Sequence, residues 1–149
     1  MAKVFDILKN RGVSKLHSVS PDITVYEAVK VMGENNIGSV LVVDEAGNMA
    51  GIFTERDYAR KIVLKGRRSR DTYVHEIMTP AEKLITVTKE TSIEECMQKM
   101  SGNKIRHLPV IEEGKAFTVI SIGDVVSSII QEQQFTINAM SSYIRGVSM

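Results

Sequence analysis

The sequence predicts a mixed α/β (α+β) fold made of two copies of one unit, each running helix, strand, strand, helix, and packed by pseudo-two-fold symmetry through their sheets. Three observations predict it. First, VSPDITVYEAVKVMGENNIGSVLVVDEAGNMAGIFTERDYARKIV, beginning at Val19, lies over VTKETSIEECMQKMSGNKIRHLPVIEEGKAFTVISIGDVVSSII, beginning at Val87, with one single-residue gap near Gly47. The overlay pairs Glu27 with Glu95, Met32 with Met100, Ile37 with Ile105, Val42 with Val110 and Asp57 with Asp124. Second, the two stretches carry the same signals for element type in the same order, as a duplicated unit must. Third, a unit of about 45 residues buries too little apolar surface to be stable alone, so two copies are expected to cover each other's sheets.

The elements follow in chain order. A short extended piece leads into each copy, Leu16 to Ser20 and Leu84 to Thr88. Thr24-Val-Tyr-Glu27 and Ser92-Ile-Glu-Glu95 have capping-box spacing, in which the hydroxyl accepts from an orphan amide and the glutamate reaches back. Val25, Ala28, Val29 and Met32 then form one helical stripe, with Ile93, Cys96, Met97 and Met100 as its counterpart. Apolar runs at Ile37–Val43 and Met49–Thr54, and at Ile105–Ile111 and Ala116–Ser121, are separated by acidic or Gly-containing turns and predict two hairpins. A second helix follows in each copy, from about Glu55 to Lys65 and from about Gly123 to Gln134. The expected organisation is an N-terminal segment (1–15), a first repeat (16–66), a surface linker (67–79), a second repeat (80–131) and a C-terminal helical extension (132–149).

Composition narrows the function classes. The 149 residues carry 19 basic and 18 acidic side chains, a formal charge of +1, so broad electrostatic capture of nucleic acid or an anionic membrane is not expected. Arg67, Arg68 and Arg70 are expected as a solvated basic loop. No stretch approaches a membrane span and MAKVFDILKNRG has no long apolar signal core, which gives a soluble, cytoplasmic expectation. Cys96 has no second thiol to pair with, and its place on a helical stripe predicts a small core side chain. His17, His75 and His107 are too scattered for a zinc pattern, so no metal is expected.

The chemistry-bearing signal is itself duplicated. Thr54-Glu-Arg-Asp57 and Ser121-Ile-Gly-Asp124 each place a hydroxyl and a carboxylate three residues apart where a strand becomes a helix. Free amides and the helix dipole there favour an anion such as phosphate, while a carboxylate can accept both hydroxyls of a ribose. The same spacing is also that of an ordinary helix cap, and one copy alone would not distinguish the two.

With GIFTERD in the first copy and RHLPVIEEGKAFTVISIGD in the second, the chain from about Leu16 to Ile130 resembles a tandem cystathionine β-synthase (CBS) domain pair, or Bateman module, of the small stand-alone bacterial type related to inosine monophosphate dehydrogenase. The resemblance implies binding of adenine nucleotide in clefts between repeats: AMP first, with ADP, ATP or NAD as alternatives and no required cofactor. It implies one site joining Thr54, Arg56 and Asp57 to Arg106, His107 and Pro109, with Tyr73, Val74 and Met78 near its base. A second site joins Ser121 and Asp124 to Val19, Gly38 and Ser39. Arg106 and His107 replace Gly38 and Ser39, which ranks the first site as the better phosphate binder. His107 alternatively hydrogen-bonds a neighbouring carbonyl. Thr118 stands where the first copy has Gly51, and Leu41 where the second has Pro109, so unequal occupancy is expected.

No Ser/His/Asp set, HExxH or GxxxxGK loop is present, so no catalytic residue is assigned and binding is favoured over turnover. The expected function is a regulatory module that senses adenine nucleotide and modulates an unidentified partner or its own assembly. The alternative is an interaction or dimerisation module with no physiological nucleotide. Phe135, Ile137, Met140, Tyr143 and Ile144 form an apolar stripe beyond the second repeat, for which a homodimer is the natural use.

Overall fold

The computed structural model describes residues 2–11 and 17–148 and has the mixed helix-and-sheet architecture that the repeat predicts. Leu16, at the head of the first lead-in, lies outside the described residues. The chain divides into two compact units: one of Met1–Ser14, Val87–Leu108 and Ile120–Met149, the other of Lys15–Thr86 and Pro109–Val119, so that the second holds the first repeat together with the middle of the second.

The second of these units holds a four-stranded sheet in the order β1 (Ser18–Val19), β2 (Ser39–Val43), β3 (Met49–Thr54), β4 (Thr79–Pro80). β1 runs parallel to β2, and the other neighbours are antiparallel, with Ser39 opposite Thr54 and Gly51 opposite Pro80. Helix α2 (Val25–Asn35) begins at Thr24, whose hydroxyl accepts from the Glu27 amide at 3.2 Å, and ends at Asn36 in the left-handed conformation. Its stripe residues Val25, Ala28 and Met32 pack with Val40, Val42 and Phe53 of the sheet. The helix after β3 is irregular: α3 (Glu55–Asp57) continues as π-helical turns over Tyr58–Val63, with Ile62 in the core.

The connector departs from the expected surface linker. Thr72 is buried, and helix α4 (Val74–Ile77) sends Val74 and Ile77 into the same core as α2. The apolar spacing of those two residues, three apart, is a helical contact that a polar, arginine-rich context obscured. Gly51 is required where β4 crosses β3, because a Cβ there would run into the Thr79 carbonyl and lie 2.9 Å from the Met78 sulfur.

The other unit repeats the logic with different pieces. Helix α5 (Ile93–Asn103) starts at Ser92, whose hydroxyl accepts from the Glu95 amide at 3.1 Å, and ends at a left-handed Lys104. It buries Ile93, Cys96 and Met100. Helix α1 (Val4–Arg11) buries Val4 and Ile7 and, with α5, packs on α6 (Ile122–Ser148). The second hairpin is β5 (His107–Glu112) and β6 (Lys115–Ser121), of which Pro109–Val119 is counted with the sheet-bearing unit. One expectation is corrected here: the helix expected to end near Gln134 and the helical extension expected over 132–149 are one continuous helix from Ile122 to Ser148. Leu84, at the head of the second lead-in, is extended, and no strand is formed over 84–88.

Candidate functional site

Both strand-to-helix turns are built as the repeat requires. In the first, Thr54 caps α3: its hydroxyl accepts from the Asp57 amide at 3.1 Å, while Asp57 Oδ2 accepts from the Thr54 amide at 3.0 Å. In the second, Ser121 Oγ accepts from the Asp124 amide at 3.2 Å, and Asp124 Oδ2 accepts from the Ser121 amide at 2.9 Å. Each carboxylate therefore satisfies an orphan backbone donor of its own turn. The residue just before the first strand of each hairpin is tied to the helix start in the same way, Glu55 donating to the Gly38 carbonyl at 3.1 Å and Ile122 to the Arg106 carbonyl at 2.8 Å. Gly38 and Arg106 are thus structural equivalents, as the overlay predicts.

The two turns differ in the cation each carboxylate meets. Lys61, one helical turn on, places its ammonium 3.1 Å from Asp57 Oδ1 and donates to the Ile77 carbonyl at 2.9 Å. Asp124 is met instead from α1, by Arg11 at 3.0 Å. Neither cation was singled out in the sequence. Lys61 had a signal, an acid and a base four residues apart on a helix, whereas Arg11 is 113 positions from its partner and had none.

The remaining predicted residues are placed as follows. Asp57 is buried (8% exposed) and Thr54 is half-buried, while Arg56 is exposed on α3. Tyr73 is half exposed with its ring stacked on His75, Val74 is in the core, and Met78 lies half-buried against Gly51. Val19, Ser39 and Pro109 are buried, and Gly38, His107, Ser121 and Asp124 are half-buried. Arg106 is exposed. Thr54, Arg56, Asp57, Tyr73, Val74, Met78, Pro109, Val19, Gly38 and Ser39 belong to one unit; Arg106, His107, Ser121 and Asp124 belong to the other. The basic connector is partnered: Arg67 pairs with Glu76, Arg68 with Asp71, and Arg70 lies 4.0 Å above the Tyr26 ring.

The helix preceding each repeat is a further duplicated feature, missed because the overlay began at Val19 and Val87. Lys3-Val4-Phe5-Asp6-Ile7 and Tyr73-Val74-His75-Glu76-Ile77 share a Val, an acid and an Ile at one spacing. Their acids cap alike, Asp6 accepting from Lys3 at 2.9 Å and Glu76 from Tyr73 at 2.7 Å. The Tyr73 amide and the Arg67 guanidinium hold the Glu76 carboxyl below its ordinary value. Each bridges the start of a repeat helix, Lys3 with Ser92 and Tyr73 with Thr24. Hence α1, which precedes the first repeat in sequence, packs with helices of the second, and α4, which follows the first repeat, packs with the first.

An open depression of about 300 Å³ in the sheet-bearing unit is lined by Val29, Met32, Gly33, Asn36, Ile37, Gly38, Glu55 and Tyr58. That is the low end of ligand-sized cavities, and Gly38 is the one predicted site residue on its wall. Among the described residues no cluster of three or more His, Cys, Asp or Glu side chains could hold a metal. No helix there is long and apolar enough to cross a membrane.

Comparison with known proteins accounts for the duplication. The CBS domain family model matches residues 3–64 and 74–131, each match beginning at a lead-in helix. The chain is 44% identical over 148 residues to the Arabidopsis thaliana CBS domain-containing protein CBSX3, mitochondrial, covering 96% of this chain and 72% of that one. It superposes with a TM-score of 0.83 on a putative signal-transduction protein with CBS domains from Burkholderia ambifaria MC40-6, at 47% identity over 91% of this chain and 99% of the other. The CBS domain pair of protein MJ0100, solved in complex with 5-methylthioadenosine and S-adenosyl-L-methionine, superposes with a TM-score of 0.74 at 25% identity, over 89% and 98% of the two chains.

Proposed function

Because the chain belongs to the CBS-domain family, we propose that it is a regulatory module that binds an adenine nucleotide, AMP first, with ADP, ATP or NAD as alternatives, and passes occupancy on to a partner protein or to its own assembly. The observation that carries this reading is the duplicated turn in which a carboxylate is fixed by its own cap amide and held beside a cation: Asp57 with Lys61, Asp124 with Arg11. A carboxylate has about four acceptor positions; Asp57 uses three on the Thr54 amide, the Thr54 hydroxyl and Lys61, so it offers about one to a ribose hydroxyl, while Asp124 uses two on the Ser121 amide and Arg11. Lys61 and Arg11, paired to these carboxylates, offset the negative charge that would otherwise repel a phosphate nearby. The adenosine-containing ligands of the MJ0100 pair support the chemical class.

Within this reading the sugar end belongs to Asp57 and Asp124 and the phosphate end to Thr54, Arg56 and Ser121. Arg106 and His107 supply further donors, and Tyr73, Val74, Met78, Pro109, Val19, Gly38 and Ser39 supply the walls. No catalytic role is proposed for any of them.

Titration calorimetry with AMP, ADP, ATP, NAD and S-adenosylmethionine tests the reading. At least one is expected to bind with micromolar to millimolar affinity, and Asp57→Asn, which keeps an oxygen for the cap while removing the charge, to weaken it by about 1–3 kcal/mol. Absence of heat with every adenosine compound, or affinity unchanged in both Asp57→Asn and Asp124→Asn, refutes it. The interaction-module alternative is favoured by a separate observation, the apolar side chains left exposed along α6, from Ile130 to Ile144.

A further inference from the structure

The first part of α6 packs on α5 and α1, but from Gln131 to Gly146 every side chain is exposed except the half-buried Glu132 and Ser141. Along this helix Val126, Ile130, Gln133, Ile137, Met140 and Ile144 recur at alternating spacings of four and three. That is a repeat of 3.5 residues, the period that keeps a seam facing a partner helix only when two helices supercoil. We propose that the C-terminal half of α6 pairs with the same segment of a second copy of this chain as a parallel, in-register, two-stranded coiled coil. The proposal is independent of any nucleotide.

The side-chain chemistry selects that occupant. In heptad order Ile130, Ile137 and Ile144 take the a positions, and Val126, Gln133 and Met140 the d positions. β-branched residues at a with unbranched ones at most d positions favour two strands. Gln133 meets its own counterpart in this register and can bond to it, whereas a shift of one heptad would bury it against Val126 or Met140. A polar seam residue of this kind fixes register. In a parallel pair each flanking residue faces the partner's flank of the neighbouring heptad, so like charges there would repel. Here the flanks are Ser127, Ile129, Gln134, Thr136, Ser141 and Tyr143, and the charged Glu132 and Arg145 fall on the outer face.

The exposed area is sufficient. Val126, Ile130, Ile137, Met140, Tyr143 and Ile144 are between 40% and 74% exposed. At ordinary side-chain sizes this is roughly 650 Å² of apolar surface per copy, so two copies together offer about 1,300 Å², against the ~1,200 Å² at the lower end of specific interfaces.

Position-specific cross-linking of the full chain tests the proposal. Met140→Cys places a thiol in the seam and Phe135→Cys places one on the outer face, while the native Cys96 is buried and silent. Under mild oxidation at micromolar protein, M140C is expected to form a disulfide-linked dimer roughly ten-fold faster than F135C, because the coil raises the local concentration of the facing thiol. Adding Ile137→Lys and Ile144→Lys is expected to abolish that cross-link with the circular dichroism of the fold unchanged, since both positions are solvent-exposed in the single chain. Equal rates at the two cysteines, no cross-link at Met140→Cys, or a cross-link that survives the lysines overturns the proposal. So does a monomeric mass with residue 140 shielded by the chain's own repeat or by lipid vesicles.

Discussion

At the scale of the residue, Cys96 shows how position sets chemistry. It occupies the place on α5 that Ala28 occupies on α2, and both are fully buried. Burial pushes the Cys96 thiol up to about 11, with the neighbouring Glu95 carboxylate adding to the effect. A buried thiol of this kind is inert, as the stripe predicts. The unfolded chain ionises this group near 9 and the folded chain near 11, so its contribution to stability is complete below pH 9 and lost as the pH rises to 11. Denaturant unfolding of the parent chain and of Cys96→Ala is therefore expected to show the difference between them shrinking or reversing by about 2 kcal/mol in the parent's disfavour across that interval. Parallel pH dependence in the two proteins contradicts the assignment. Asp57 and Asp124 are the converse: the hydroxyl-to-acid spacing was legible, but their cation partners were not equally so, because Lys61 shares a helix with its acid and Arg11 reaches Asp124 from the opposite end of the sequence.

At the scale of the element, the two lead-in helices are the least conspicuous part of the fold and the most directly tied to its cores. Helix α4 has four residues and could not persist alone, since nucleation is costly and so few bonds are gained. Its order comes from burying Val74 and Ile77, and α1 does the same with Val4 and Ile7. Ile77→Ala and Ile7→Ala are each expected to lower unfolding free energy by about 2–4 kcal/mol, the cost of a cavity in a packed core. Losses under 1 kcal/mol by chemical denaturation would mark these helices as peripheral. Helices α2 and α5 and the strands after them were readable because stripe, cap and apolar run agree within one short window. The π-helical turns at Tyr58–Val63 were not, because their apolar spacing also fits an ordinary helix.

At the scale of the whole molecule, ligand binding and stability are linked. A compound that binds the folded chain alone stabilises it by about 2.7 kcal/mol at a hundred-fold excess over its dissociation constant. Saturating adenine nucleotide is accordingly expected to raise the thermal midpoint by several degrees, with a smaller rise in Asp57→Asn at the same concentration. An identical rise in both proteins would place the ligand away from that turn. Whole-chain organisation is also where the sequence overlay was least informative. Residues 72–80 look like a polar connector, yet Thr72 is buried, α4 packs into a core and β4 lies against Gly51. Thr118, the counterpart of Gly51, is itself buried, and among the described residues its hairpin carries two strands where the first repeat's sheet has four.

The sequence by itself determined the duplication, the order of elements in each copy, the inward faces of α2 and α5, and the paired acid-bearing turns. Each of these is written in a local pattern of apolar spacing or capping residues, which acts over one or two helical turns. Only the tertiary structure decided which repeat each lead-in helix completes, which cation meets each carboxylate, and where glycine is obligatory. Those outcomes depend on contacts between residues far apart in the chain, where burial and steric exclusion select among partners that local pattern leaves equivalent.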